Sequence, residues 1–295
     1  MSPELRRRET IAGYLFLLPS LIFFIGFVVV PMVMCVVTSF FDANMDLNTP
    51  DKFIWFNNYV ELWQDPVFLK ALVNTFIIVV VSVPITCIFS LWVASAIYKM
   101  KEGPLSFFRI VFYLPVVTGS VAVTVVWKWM YNNYYGIFNY LLKNTGIISK
   151  NINWLGDPRF ALGCIIVILL TTSVGQPIVL YVSALGNVDN SLVEASEVDG
   201  ANNLQVFWRI KWPQIMPTTL YIVVVTTINS FQCFALIQLL TSGGPNHATD
   251  TVMYYIYSTA FMSPFRFGYG NAMGVILALF IAALSAVQFW MGKEK

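Results

Sequence analysis

Long stretches without any charged residue dominate this sequence. They cover 10–41, 71–98, 110–127, 160–188, 212–249 and 267–292. A helix needs about 20 residues to cross the hydrocarbon core of a membrane, because each residue adds about 1.5 Å. The runs are continuously apolar, whereas the strands of a membrane barrel alternate in polarity. The chain is therefore predicted to be an all-α integral membrane protein.

Six transmembrane helices are predicted from these runs. They cover about 11–40, 71–98, 108–131, 160–186, 217–240 and 270–291. The first run exceeds the apolar core of a signal peptide, about 7–15 residues, so we expect an uncleaved first helix. One transmembrane domain is expected to fill 1–295. The composition agrees, since 11% of the residues are charged against about 25% in soluble domains.

The positive charges predict an orientation. An even number of helices places both termini on one side. Basic residues are denser in the loops on the side of Arg6, Arg7 and Arg8, which makes that side cytoplasmic. Both termini and the segment 187–216 are then cytoplasmic in a multi-pass protein of the lipid bilayer. The net charge of +2 gives no reason to expect a nucleic-acid partner.

The cytoplasmic segment 189–217 contains several residues that typically start or end helices. Ser191 and Glu194 form a capping-box pattern, which predicts a helix over 192–198. Gly200 follows, and glycine readily adopts the left-handed conformation that ends helices. Asn202 or Asn203 is an acceptable N-cap for a second helix. Pro213 is expected to end that helix, and Pro217 to lead into the fifth membrane helix.

Small residues cluster in this segment. Ala195, Ser196, Gly200 and Ala201 would let the backbone of another protein approach closely. From the residues alone, the segment is either such a docking surface or an ordinary structured loop beneath the bundle.

The pattern closely resembles the "EAA" loop of ABC-importer permeases. The matching residues are Glu194, Ala195, Asp199, Gly200, Ala201, Phe207, Ile210, Pro213 and Pro217, with Ser196 in place of the usual second alanine. The stretches 12–19, 236–245, 255–261 and 267–270 are also similar to sugar permeases. The resemblance covers nearly the whole chain. It implies the ABC type I importer permease fold with cytoplasmic coupling helices, in the bacterial cytoplasmic (inner) membrane.

The resemblance also implies partners. In this family the loop docks on a cytoplasmic ATPase, so Glu194, Ala195, Ser196, Asp199, Gly200, Ala201, Phe207 and Pro213 are expected to couple to it. Two ATPase subunits, a second, non-identical permease forming a heterodimer, and an extracellular solute-binding protein are expected. The sequence has no G-x-x-x-x-G-K-[ST] phosphate loop. We therefore expect a transport subunit that is not an enzyme, holds no cofactor, and leaves ATP and Mg²⁺ to the ATPase.

Polar residues inside the fourth and fifth predicted helices are candidates for solute binding. Such residues are costly in a membrane and tend to face a cavity, although they also join helices to one another. Gly175 and Pro177 can loosen the fourth helix and free backbone groups. In maltose-transporting members of the family, sugar contacts fall on the same two helices. The expected substrate residues are Thr171, Gly175, Gln176, Thr226, Asn229, Ser230 and Cys233.

The leading interpretation is a permease for a sugar or oligosaccharide that works by alternating access. Amides and hydroxyls suit sugar hydroxyls, and the absence of a predicted charge there argues against a strongly anionic solute. Another solute, such as glycerol 3-phosphate or a polyol, is the first alternative. An ion-coupled carrier or channel is disfavoured because the apolar runs contain no charged group. An enzyme or a metal site is disfavoured because the only histidine, His247, lacks a carboxylate cluster in the sequence nearby.

Overall fold

The structure is a computed structural model that describes residues 3–44, 51–262 and 265–293. Its helices are α1 (Pro3–Phe24), α2 (Val30–Thr38), α3 (Asn57–Leu62), α4 (Pro66–Ile97), α5 (Glu102–Val117), α6 (Ser120–Met130), α7 (Ile137–Asn144), α8 (Ala161–Ser173), α9 (Gly175–Gly186), α10 (Asn190–Val198), α11 (Asn203–Val206), α12 (Trp212–Phe231), α13 (Ala235–Leu240), α14 (Val252–Phe261) and α15 (Phe267–Lys293). Two short strands, β1 (Phe41–Asp42) and β2 (Lys52–Phe53), pair antiparallel. The chain is therefore mainly helical, as predicted.

Three described helices are long and apolar enough to cross a membrane. The first covers Ala12–Thr38, where a π-helical turn over Ile25–Val29 joins α1 to α2, and the others cover Pro66–Ile97 and Phe267–Gly292. Two bent helix pairs, α5 with α6 and α8 with α9, also qualify when each pair is taken as one span. The fifth predicted span corresponds to α12 and α13. The helices agree with the predicted class, and the count of six spans stays a prediction.

The described contacts form two compact units. One comprises the described residues of Met1–Gln64 and Ile256–Ile276, and the other those of Asp65–Tyr255 and Leu277–Lys295. In the smaller unit, Arg266 donates two hydrogen bonds to the Glu61 carboxylate at 2.6 and 2.7 Å. The Nδ2 of Asn58 donates to the carbonyls of Ser39 and Phe41. These bonds hold α3 to the strand region and to the residue before α15.

The larger unit begins with the helix α4. The Asp65 side chain accepts hydrogen bonds from the backbone N–H of Val67 at 2.8 Å and of Phe68 at 3.3 Å. Pro66 occupies the first turn, where its missing N–H would have no partner in any case. This cap fixes the start of the central helix of the unit, against which α8, α9 and α12 pack.

The prediction of one continuous third helix over 108–131 is wrong. The chain forms α5 and α6, which meet at 95°. Thr118 and Gly119 have extended ψ angles of 126° and 141°, and these residues interrupt the helical hydrogen bonds. Sequence apolarity marks the depth of such a segment in the membrane and carries no information about this turn.

The fourth predicted helix is bent in the way that its glycine and proline predict. α8 and α9 meet at 42°. Pro177 lacks an N–H for the carbonyl of Ser173, and its ring crowds that carbonyl. Gly175 allows close packing at the bend, since a Cβ there would collide with the Phe112 carbonyl of α5.

The predicted bounds of the fifth helix, 217–240, are wrong at both ends, since the corresponding helix is α12. The helix starts at Trp212 instead of near Pro217, which lies inside it. It ends at Phe231, and residues 232–234 separate it from α13. The hydroxyl of Thr251 donates to the freed carbonyl of Cys233 at 2.8 Å. A distant loop therefore stabilises the break.

Candidate functional site

The coupling segment, residues 189–217, begins with α10. Its cap is Asp189, whose Oδ1 accepts hydrogen bonds from the backbone N–H and the hydroxyl of Ser191 at 2.9 and 2.7 Å. The prediction that Ser191 caps a helix starting at Leu192 is therefore wrong by two positions. Aspartate also caps well, and Asp189 lies two residues before the serine that the sequence pattern suggested. The bonds from Ser191 lower the pKa of Asp189.

Gly200 forms the turn after α10. Its φ of +82° lies in the left-handed region, as predicted for a helix-ending glycine. Asn202 then caps the next helix through a reciprocal pair of bonds. The N–H of Gln205 donates to Asn202 Oδ1 at 2.9 Å, and the N–H of Asn202 donates to Gln205 Oε1 at 2.8 Å. Of the two predicted caps, the structure uses Asn202.

Pro213 does not end the second helix of the segment, contrary to the prediction. A π-helical turn over Phe207–Lys211 connects α11 to α12. The N–H of Trp212 bonds the carbonyl of Phe207, five residues back. Pro213 falls in the first turn of α12, where a missing N–H costs little. The segment therefore continues without a loop into the fifth membrane helix.

The coupling segment is packed on one side and exposed on the other. Val193 and Val206 are buried in a core that includes Ile97, Leu105 and Ile215. Most of the predicted ATPase-contacting residues are exposed: Glu194, Ala195, Asp199, Gly200 and Pro213. Ser196, Ala201 and Phe207 are half-buried. The exposed side also carries Val198, 88% exposed, which the sequence interpretation did not single out.

Two contacts brace the segment against the helix ends. Lys211 Nζ donates to the hydroxyl of Tyr98 at 2.8 Å and lies 5.3 Å from the centre of that ring. The N–H of Asp189 donates to Gln214 Oε1 at 3.4 Å. Tyr98 follows α4 directly, so the segment is tied to the central helix as well as to α12.

A polar cavity of about 140 Å³ lies between α9 and α12. Its lining consists of Val116, Thr172, Ser173, Gln176, Pro177, Leu180, Tyr221, Ile222, Val225, Thr226 and Asn229. The structure thus brings together three predicted substrate residues: Gln176, Thr226 and Asn229. Among the described residues, no hydrogen-bond partner is found for their side chains. These groups are therefore available to a polar solute.

A second space of about 320 Å³, the Gln232 cavity, adjoins the polar cavity. The two share Val116, Thr172 and Asn229 in their linings. Gln232 and Cys233 line it at the break after α12, and Thr118 and Ser120 line it at the sharp turn between α5 and α6. Both spaces therefore open where a predicted helix is broken.

The remaining predicted substrate residues lie outside these linings. Thr171 donates to the carbonyl of Ile168 at 2.7 Å. Gly175 is buried against α5. Ser230 is buried and bonded to Ser82 at 2.9 Å. The sequence prediction did not include Tyr221. Its only signal in the sequence is that it lies five residues before Thr226 on the same helix.

The loop 243–250 contains a buried carboxylate. Asp250 is 2% exposed and pairs with the Nδ1 of His247. Burial raises the pKa of Asp250, and His247 and Lys70 partly oppose this effect. In the part of the chain that the structure describes, no group of three or more His, Cys, Asp or Glu side chains is arranged to hold a metal ion.

Comparison with known families decides what kind of protein carries these features. Residues 66–293 match the family described as the binding-protein-dependent transport system inner membrane component. The chain belongs to this family. It is therefore a transport component of a membrane, and both the coupling segment and the polar cavity lie inside the matched region.

Relatives of this permease cover almost all of its length. It is 32% identical to the lactose transport system permease protein LacF of Rhizobium radiobacter, over 99% of this chain and 97% of the relative. It is 29% identical to the multiple sugar-binding transport system permease protein MsmF of Streptococcus mutans, over 96% and 95%.

A solved structure shares the fold of this permease. The crystal structure is of a bacterial ABC transporter involved in the import of the acidic polysaccharide alginate. One of its chains matches with a TM-score of 0.81 and 22% identity, over 97% of this chain and 96% of that chain. The fold is therefore that of an ABC importer permease, as the sequence predicted.

Proposed function

We propose that this permease is the transmembrane subunit of an ATP-driven importer that moves a sugar or oligosaccharide by alternating access. The observation that carries the proposal is the position of the coupling segment between α9 and α12. The same two helices line the polar cavity. A force on the exposed side of the segment would therefore reach the cavity walls through one packed core, without a flexible loop between them.

The polar cavity supports a carbohydrate as the solute. Gln176 and Asn229 supply amides, and Thr172, Tyr221 and Thr226 supply hydroxyls. Each can donate and accept hydrogen bonds, as sugar hydroxyls do. The names of the lactose and multiple-sugar relatives support the same class. Glycerol 3-phosphate or a polyol is the alternative within importers.

The partners follow from the same proposal. Glu194, Asp199 and Gly200 contact one of two cytoplasmic ATPase subunits, which bind ATP and Mg²⁺. A second, non-identical permease completes the path, and an extracellular solute-binding protein delivers the sugar. Both termini lie on the cytoplasmic side of the bacterial inner membrane.

Reconstitution tests this function. The permease is purified with the transport components encoded beside it and placed in liposomes with its binding protein. Sugars for the assay come from a thermal-shift screen on that binding protein. We expect sugar uptake that requires ATP and the ATPase subunits. Uptake driven by an ion gradient without the ATPase would overturn the proposal in favour of a secondary carrier.

A further inference from the structure

A third space, the Arg109 groove, continues from the polar cavity. It measures about 440 Å³ and is lined by Arg109, Ile110, Tyr113, Leu114, Val117, Gln176, Val179 and Leu180. Gln176 and Leu180 line both spaces. The polar cavity and the Arg109 groove therefore adjoin at α9, and α5 contributes residues to both.

Arg109 is the cation of this groove. It is half-buried, and its Nε is buried without a hydrogen-bond partner among the described residues. No carboxylate of the described chain forms an ion pair with it. A guanidinium with a desolvated, unpaired N–H is costly in an apolar surrounding. The groove walls supply only Gln176 and the Tyr113 hydroxyl as polar side-chain groups, and an anionic group would give the guanidinium a charged partner.

The position of Arg109 relates it to the path of the solute. Val116, which lines the polar cavity, lies seven residues further along α5, or about 10 Å along the helix axis. α5 starts at Glu102 in a loop that the basic residues assign to the cytoplasmic side. Arg109 is therefore at the cytoplasmic end of the two adjoining spaces, past the amide of Gln176.

We propose that Arg109 binds the anionic group of an acidic saccharide as the solute passes from the polar cavity toward the cytoplasm. This inference rests on the proposed importer function and deepens it by naming the substrate class. The planar guanidinium suits a carboxylate or a phosphate, to which it can donate two parallel hydrogen bonds. Amides and hydroxyls of the polar cavity bind the neutral part of the solute. The fourth and fifth predicted helices carry no charge, which argued against an anionic solute, but Arg109 lies on α5.

The test compares acidic and neutral solutes in the complete reconstituted transporter. The probes are digalacturonate, galactose 6-phosphate and lactose, at saturating binding protein and solute. The variants are Arg109→Gln and Arg109→Lys. Lys101→Gln is the matched control, since Lys101 is exposed near the start of the same helix and lines none of the three spaces. Elution of each complex from a sizing column checks that assembly is intact.

We expect uptake of at least one acidic probe to fall by about tenfold in Arg109→Gln, the scale of a lost charged hydrogen bond. Arg109→Lys should retain part of the rate, because it keeps the charge. Lactose uptake in these variants, and every rate in Lys101→Gln, should stay as in the unsubstituted complex. A loss confined to digalacturonate identifies a carboxylate, and a loss confined to galactose 6-phosphate identifies a phosphate.

Two results would overturn the role of Arg109 without touching the importer function. One is lactose uptake with no uptake of either acidic probe by the unsubstituted complex. The other is an equal loss of acidic and neutral uptake in Arg109→Gln, which would indicate a structural pairing with another subunit. Failure of the unsubstituted complex to take up any sugar with ATP would instead count against the proposed function itself.

Discussion

The hydroxyls of Ser82 and Ser230 form a hydrogen bond of 2.9 Å that joins α4 to α12. Both residues are buried. The preceding residue, Asn229, lines both the polar cavity and the Gln232 cavity. Consecutive residues of a helix point about 100° apart, so one position packs α12 against the bundle while its neighbour faces the space for solute.

Substitutions at these neighbours should therefore have different effects. Asn229→Ala should lower sugar uptake by up to about tenfold, because one hydrogen bond to the solute is lost, and should leave the unfolding temperature nearly unchanged. Ser230→Ala should lower the free energy of unfolding by about 1 kcal/mol, because Ser82 loses its partner. Uptake assays and thermal unfolding in detergent measure the two effects. The reverse pattern would show that Ser230 contacts the solute.

Gly175 should not tolerate a side chain. Its Cβ would collide with the Phe112 carbonyl and the Val116 side chain, so Gly175→Ala should force α5 and α9 apart and cost about 1–3 kcal/mol. Gly163→Ala in α8 is the control, since a Cβ there meets no atom within 4 Å, and should be neutral or slightly stabilising. Thermal unfolding compares them. Equal stability of the two variants would contradict the close packing.

Within this chain, Gly200 should be needed for its backbone conformation and not for space. Its φ is +82°, and a Cβ would meet no atom within 4 Å. Gly200→Val should cost about 1–2 kcal/mol in that conformation and uncouple ATP hydrolysis from uptake while the protein still inserts. Gly200→Asn should retain coupling, because asparagine tolerates left-handed angles. Sugar taken up per ATP hydrolysed is the measurement, and normal coupling in the valine variant would sink the proposed role of the turn.

The Asp189 cap should control the order of α10. Asp189→Ala removes the acceptor for both bonds from Ser191, so the amides of α10 should exchange their hydrogens faster. Asp189→Asn keeps an acceptor oxygen and is the control. Because the pKa of Asp189 is lowered, the charged cap is fully present above its ordinary pKa and is lost as the pH falls through the lowered value. Amide hydrogen exchange in α10 of the asparagine variant should not depend on acid pH in this way. Equal exchange rates in the unsubstituted protein and both variants would contradict the role of Asp189 as a cap.

Asp250 should make stability depend on pH in the opposite sense. Its pKa is raised in the folded state, so the stabilising contribution is complete below the ordinary pKa, about 3.9, and is lost as the pH rises through the raised value. The unfolding temperature of Asp250→Asn relative to the unsubstituted protein should therefore increase with pH above about 4. His247→Gln removes the imidazole that pairs with Asp250, so it should raise the pKa of Asp250 further. The pH range over which the unfolding temperature changes should then be wider. A difference that does not change with pH would contradict the buried carboxylate.

The sequence predicted the polar cavity only in part. Gln176, Thr226 and Asn229 were identified because polar residues stand out in apolar helices, and all three line one space. Ser230 has the same sequence signal but bonds to Ser82. Only the direction of each side chain distinguishes a residue facing a cavity from one joining two helices, and that direction depends on which helix packs alongside.

Helix ends show the same limit. Gly200 and Asn202 act as predicted, because their roles depend on backbone conformation and on bonds within three residues. Pro213 was expected to end a helix and instead lies in the first turn of α12. A π-helical turn over Phe207–Lys211 connects α11 to α12 and leaves Pro213 where a missing N–H costs little, and the pattern of apolar residues does not reveal that turn.

The sequence by itself determined that this chain is a helical membrane protein with a segment that resembles the EAA loop of importer permeases. Apolar length and local capping are properties of neighbouring residues, and hydrocarbon leaves few ways to satisfy a backbone. The tertiary structure alone decided the sharp turn between α5 and α6, which polar groups share a cavity, and that the Arg109 groove shares Gln176 with the polar cavity. These features depend on packing between residues far apart in the chain. The periodicity of one helix does not indicate which other helices pack against it.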